Sequence, residues 1–165
     1  MDPSVSCCFT GHRPGKLPWG TDEDDPRCYD LKQELAARLE GIYEAGYRHF
    51  ICGMAAGCDL YFAEAVLELR RRCPEVTLEA AIPCDGQADA WPEALRRRYE
   101  ALVAACDEVS ILQHAYTPGC MQRRNQYMVE RSSLLLACYD GQPGGTMNTI
   151  LQARRRGCRV ITIDL

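Results

Sequence analysis

Residues His49–Arg72 read HFICGMAAGCDLYFAEAVLELRRR. A short apolar run, HFICG, ends in a stretch of glycine and small residues, GMAAGCD (Gly53–Asp59). A helical pattern follows, with Leu60, Ala63, Val66 and Leu67 on one stripe. A turn that only reverses the chain needs fewer special residues. Two glycines and three small residues suit a junction where another group comes close to the backbone. Strand, permissive turn and helix in that order form the first half of a β-α-β unit, and this pattern decides the fold class.

The same order extends in both directions. VSCCF (residues 5–9), VTLEAAI (76–82), EVSIL (108–112), LLLACY (134–139) and RVITID (159–164) read as further strands, apolar or β-branched and short. Between them LKQELAARLEGIYEAG puts Leu31, Leu35, Leu39 and Ile42 on one helical face and stops at Gly46. EALRRRYEALVAAC, MQRRNQYMVERS and TMNTILQARRRG supply the remaining helices. Regular alternation predicts right-handed crossovers between parallel strands. The expected class is α/β, a single three-layer Rossmann-like domain over residues 1–165 with a mainly parallel sheet. No repeat or linker interrupts it, and Gly15–Pro26 reads as a surface loop.

Composition narrows the function classes. Of 165 residues, 47% are hydrophobic and 25% charged, ordinary for a soluble globular chain. No run approaches the ~20 apolar residues of a membrane span, and MDPSVSCCFTGHRP has neither basic leader nor long apolar core, so a cytoplasmic protein is expected. Eleven cysteines, an odd count scattered through apolar runs, read as reduced packing residues rather than a disulfide framework, and no Cys/His spacing suits a metal. Cys52, Cys58, Cys84 and Cys120 fall near loops and stand as candidate reactive thiols. A net charge of −4 gives no global attraction to nucleic acid. Arg70–72 and Arg154–156 fall at helix ends, where cations complement the helix dipole.

In sheets of this kind ligands bind beyond the carboxyl ends of the strands. The strand-to-helix junctions are TGHRPGK, GMAAGCD, PCDGQADAW, HAYTPGCMQRRN and DGQPGGTMNT, and glycine, hydroxyls and cationic donors concentrate there. Thr10, Gly11, His12 and Arg13 form the first candidate group, although Arg13 could instead pair with the acidic run TDEDD. Gly53, Met54 and Gly57 form the second. Asp59 there either complements the helix dipole or contacts a ligand, and Glu64 is either a solvated flank or a carboxylate turned to the sheet. Asp140, Gly144, Gly145 and Thr146 repeat the glycine turn at the fifth strand. Arg123, Arg124 and Asn125 open the helix after YTPGC, where a guanidinium suits a phosphate. Trp91, Tyr99, Tyr116 and Tyr127 either stack on a base or fill core. Two glycine turns plus TGHRP favour a phosphate-bearing ligand, while neither GxGxxG nor the Walker A lysine is present.

CCFTGHRPGKL, GMAAGCDLYFAE, AIPCDGQADAW, YTPGCMQRRNQYMVERSSLLLACYDGQPGGTMNTI and GCRVITID closely resemble the YpsA-like family of the SLOG superfamily, over nearly the whole chain. The resemblance implies a bacterial protein with a Rossmann-like fold and a nucleotide or nucleotide-derived ligand, ADP-ribose-like or a nucleoside phosphate. It also implies kinship with DprA and the LOG phosphoribohydrolases, and a sensing or regulatory role in stress or cell division. The family's first glycine motif falls on Gly53, Gly57 and Asp59, followed by Glu64. Its second falls on Asp140, Gly144, Gly145 and Thr146. The LOG glutamate associated with cleaving the base–ribose bond corresponds to Thr149, so that activity is not expected. Three readings follow: a small-molecule nucleotide-binding module, a hydrolase of an N-glycosidic or phosphate bond, and a DprA-like single-strand DNA binder disfavoured by net charge. A homo-oligomer is compatible with all three. No catalytic residue and no metal ligand is assigned.

Overall fold

The computed structural model of the protein describes residues 1–165. Six strands alternate with five helices: β1 (Ser6–Gly11), α1 (Pro26–Glu44), β2 (His49–Cys52), α2 (Cys58–Arg72), β3 (Thr77–Ile82), α3 (Glu93–Ala105), β4 (Glu108–Ile111), α4 (Cys120–Glu130), β5 (Leu134–Tyr139), α5 (Gly145–Arg155) and β6 (Arg159–Asp164). Every expected strand and helix is present. α1 starts five residues earlier than periodicity suggests, because Asp25 caps it by accepting the Arg27 N–H at 2.8 Å and Pro26 occupies its first turn.

All strand pairs are parallel, in the order β4-β3-β2-β1-β5-β6. The chain steps outward from β1 to β4, then returns across the sheet to β5 on the other side of β1. Right-handed crossovers therefore place α1, α2 and α3 on one face and α4 and α5 on the other. Strand alternation divides the core accordingly. Cys7 and Phe9 of β1, with Phe50 and Leu78, pack under Leu35 and Leu39 of α1 and Phe62 and Val66 of α2. Cys8 of β1, with Ile51, Leu135 and Ala137, packs under Met128 of α4 and Ile150 and Ala153 of α5. These strands are apolar on both faces because helices cover both. On α2 the buried stripe runs Leu60, Ala63, Val66, Leu69, and Leu67 is only half-buried.

The reversal of direction sits between β1 and β5. There the loops leaving adjacent strands turn to opposite faces and open a crevice at the carboxyl edge. Gly15–Pro26 is more than a surface loop. Leu17 and Trp19 are buried in the core, and the Trp19 indole N–H donates to the Tyr61 hydroxyl at 3.2 Å. That anchorage fixes the exit of the loop after β1. No helix is long and apolar enough to cross a membrane.

Candidate functional site

A cleft of about 460 Å³ opens at the β1/β5 reversal. Its walls come from four junctions: Thr10, Gly11, His12, Arg13 and Lys16 after β1, Ala55 and Asp59 after β2, Arg124 and Asn125 from α4, and Gly145 and Thr146 after β5.

Two of these junctions interlock. The Cys58 N–H donates to the His12 carbonyl at 3.2 Å. Gly57 has φ +90, and a Cβ there would lie 2.7 Å from the His12 carbonyl oxygen. A Cβ on Gly11 would lie 2.6 Å from Cys58 Cβ. The glycines thus let the first and second junctions pack backbone to backbone as one wall. The sequence suggested that they leave room for a ligand, but the chain itself makes the close approach.

Gly53 shows the same correction. Beside it lies the guanidinium of Arg124, whose Nη1 donates to the Gly53 carbonyl at 2.6 Å and whose Nε donates to Asn125 Oδ1 at 2.8 Å. Arg124 is 4% exposed and forms the cleft floor. Asp59, 5% exposed, accepts the Ala55 N–H at 3.0 Å and also borders the cleft. Burial raises the Asp59 carboxyl above its ordinary range, and Arg124 and the Ala55 amide pull it back only in part. Burial likewise works against the Arg124 cation, and Asp59 supports it. Asp59 lies in the first turn of α2, where a carboxylate complements the helix dipole, and its side chain lines the cleft.

The two glycine turns differ in what they leave free. At α2 the carboxylate of Asp59 and the His12 carbonyl already occupy amides of the turn. At α5 no side chain caps Gly144, and the first intrahelical closure is Asn148 N–H to the Gly144 carbonyl. The amides of Gly145, Thr146 and Met147 precede that closure, so the positive end of the α5 dipole faces the cleft. Lys16 Nζ lies so close to Gly144 that a Cβ there would collide with it. Lys16 belongs to the quoted junction TGHRPGK yet was passed over; a lysine two residues after a loop proline carried a usable signal.

His12 ties the first junction to the last. Its Nε2 lies 2.9 Å from Asp140 Oδ1 and its Nδ1 lies 3.3 Å from Thr146 Oγ1. The Asp140 N–H also points at Nε2, at 3.3 Å, so this ring nitrogen meets both the amide and the carboxylate of Asp140, and the donor and acceptor roles of the two ring nitrogens depend on the tautomer. Asp140 is held below the usual carboxylate range by the Gln142 amide and by His12. Asp140 thus positions His12 from outside the cleft lining.

The remaining candidates fall elsewhere. Met54 is fully buried with φ +57 behind the wall. Glu64 lies on the exposed flank of α2 and binds Arg98 at 2.6 Å. Tyr116 is 67% exposed on the loop before α4, outside the cleft. Trp91 and Tyr99 pack edge to face against each other at the core, and Tyr127 donates to Glu79 at 2.6 Å. Arg13 makes no pair with the acidic run; Glu23 binds Arg98 and Lys32, and Asp25 binds Arg27. All eleven cysteines are free. Cys52, Cys58, Cys84 and Cys120 are buried, and burial raises the thiols of Cys52 and Cys84, which removes both as reactive thiols.

Residues 7–158 match the family model described as the YspA SLOG family. The chain belongs to the YspA SLOG family. It is 31% identical over 150 residues to a UPF0398 protein of Bacillus thuringiensis, covering 89% of this chain and 80% of the relative. It is 29% identical over 145 residues to a UPF0398 protein of Bacillus velezensis, covering 87% of this chain and 79% of the relative. Among solved structures it is similar to DNA processing protein A of Helicobacter pylori, described for its single-stranded DNA binding mode, with TM-score 0.67, 14% identity and coverage of 99% of this chain and 66% of that one. It is also similar to DprA of Streptococcus pneumoniae, with TM-score 0.58, 16% identity and coverage of 98% and 51%. At those identities the likeness concerns the fold.

Within the SLOG frame, Thr149 is 1% exposed and its hydroxyl donates to the Gly145 carbonyl at 3.0 Å. Thr149 therefore presents neither a carboxylate nor a free hydroxyl to the cleft.

Proposed function

We propose that the cleft binds a nucleotide or nucleotide derivative through its phosphate, and that the protein is a binding module. The observation that carries this reading is the meeting, at the β1/β5 reversal, of the uncapped amino end of α5 with Lys16 and Arg13, neither of which has a carboxylate partner. Fixed amides and cations around one concavity are the usual means of holding an oxyanion. Deeper in, Asp59 and Asn125 offer a carboxylate and an amide to ribose hydroxyls or a base edge, and Arg124 keeps Asp59 from being an isolated buried charge. A sensory or regulatory role fits a site that binds without a placed catalytic carboxylate at the LOG position. The setting is a protein whose structure has no membrane-spanning helix.

The test is isothermal titration with AMP and ADP-ribose, paired with native mass spectrometry of freshly purified protein. Binding that Lys16→Ala weakens at least about tenfold, the size of one charge-assisted phosphate contact, supports the reading. Binding of neither compound and no retained small molecule would refute it. A hydrolase is the second reading, because a buried carboxylate raised by its surroundings borders the cleft. Catalytic release of free base from a monophosphate, abolished by Asp59→Asn, would favour that reading over the first.

A further inference from the structure

A second concavity, about 610 Å³, lies between α4 and α5, and Gln122 lines both it and the cleft. Its walls carry Gln122, Arg123 and Gln126 from α4 and Asn148, Gln152 and Arg155 from α5, with no acidic residue among the lining groups. Both helices run from the carboxyl edge away from the cleft, so the groove continues the cleft along their length. From Thr146 to Arg155 the helix rises about 14 Å, and side chains lean back toward the helix amino end.

The arginines in this groove differ from the arginine runs on α2 and α3. Arg70, Arg71, Arg72, Arg96, Arg97 and Arg98 each have a carboxylate within 4.0 Å. Arg123 has only the Gln113 amide oxygen, at 2.7 Å, and Arg155 sits on the groove without a carboxylate partner. The amino end of α4 at Gly119 also opens on the groove and carries no side-chain cap. A net charge of −4 thus coexists with a strip whose cations, amides and helix end all favour an anion. From sequence, Arg154–156 read as cations complementing a helix end. Arg155 nonetheless reaches the groove.

We infer that the α4–α5 groove takes the second, phosphodiester-linked nucleotide of a ligand whose first phosphate sits at the amino end of α5. The ligand class is then a short nucleotide chain rather than a mononucleotide. This rests on the phosphate reading of the cleft and deepens it. Amide side chains suit the sugars and base edges of the second unit, while Arg123 and Arg155 neutralise the linking phosphate and whatever follows it.

Affinities of AMP and the dinucleotide pApA, measured by titration on the full chain, test the inference. The dinucleotide should bind at least about tenfold tighter than AMP, with a steeper loss of affinity as salt rises. Arg123→Gln and Arg155→Gln should each bring pApA toward AMP while leaving AMP affinity unchanged. Both lie on exposed helix surface, so folding is expected to survive, and circular dichroism checks this. Equal affinities for the two probes in the unmodified protein would overturn the groove and leave the cleft reading standing. So would variants that weaken both probes alike. Binding of neither probe would overturn both.

Discussion

Adding one methyl group at Gly53 tests how the cleft floor is built. A Cβ at this position would lie 2.5 Å from Arg124 Cζ and 2.8 Å from its Nε. Carbon does not tolerate such distances, so the guanidinium must withdraw. Arg124 is buried, and its Nη1 donates to the Gly53 carbonyl at 2.6 Å. Withdrawal therefore breaks a charge-assisted bond worth ~1.5–3 kcal/mol and overpacks the surroundings at a further ~1–3 kcal/mol. Gly53→Ala should destabilise the protein by about 3–5 kcal/mol, a large share of the ~5–15 kcal/mol typical of a folded domain. The assay is urea unfolding followed by circular dichroism, repeated on the Arg124→Met background. With the guanidinium gone, the methyl meets a flexible side chain and should cost about 1 kcal/mol or less, because overpacking costs shrink when the neighbour can yield. A coupling energy near 2 kcal/mol or more across the cycle is expected, within the range seen for contacting residues. A cost below about 1 kcal/mol for Gly53→Ala alone, or equal costs on both backgrounds, would refute the view that Gly53 exists to seat Arg124.

Burial raises the Asp59 carboxyl, so the folded chain holds its proton more tightly than the unfolded one. Ionising it costs stability as pH rises above the unfolded value near 4. Asp59→Asn keeps an acceptor for Ala55 and removes this titration, so the variant's urea midpoint relative to the unmodified protein should rise between pH 4 and pH 7; a relative midpoint that falls over that range would contradict this balance. Glu79 has the opposite sign. Burial alone would raise it, but His49, Tyr127 and Ser110 donate to it and hold it below the usual range. Its contribution is present above the unfolded value near 4.3 and disappears as pH falls through the folded one, so Glu79→Gln should flatten the stability profile between pH 5 and pH 3. Tyr127→Phe should cost ~1.5–3 kcal/mol at pH 7 and less once Glu79 is protonated, readable from urea midpoints at both pH values. Incubation with nucleoside monophosphates should release no free base above the uncatalysed rate on chromatography, because Thr149 is turned into α5.

The strands and helices were legible because each element needs only local periodicity, and every strand-to-helix junction follows from alternation alone. The sheet order was not legible. That β5 returns beside β1 depends on long-range packing, yet this return creates the crevice and brings Thr10–Arg13 against Gly145–Thr146. The glycines were seen, but their purpose was not. Gly53 and Gly57 read as space for a ligand because sequence does not reveal that Arg124, 71 residues away, and the His12 carbonyl fill that space. Asp59, Arg124, Asn125 and Thr146 were found by their position in junctions, and the structure brings them to one cleft. Glu64 and Tyr116 carried the same junction signal and point elsewhere, because helix phase and loop path are set by partners such as Arg98. Lys16 and Gln122 were missed: Lys16 sits inside the junction TGHRPGK but completes no phosphate-binding motif, and Gln122 lies in the first turn of α4 with no motif to mark it.

A crystal structure of the protein with bound AMP distinguishes an anion site at α5 from one at α2. The phosphate should lie within about 3.2 Å of the Gly145 or Thr146 amide nitrogens, with Lys16 Nζ beside it. A phosphate seated instead on the Gly57–Cys58 turn, or more than about 6 Å from both α5 amides, would contradict it.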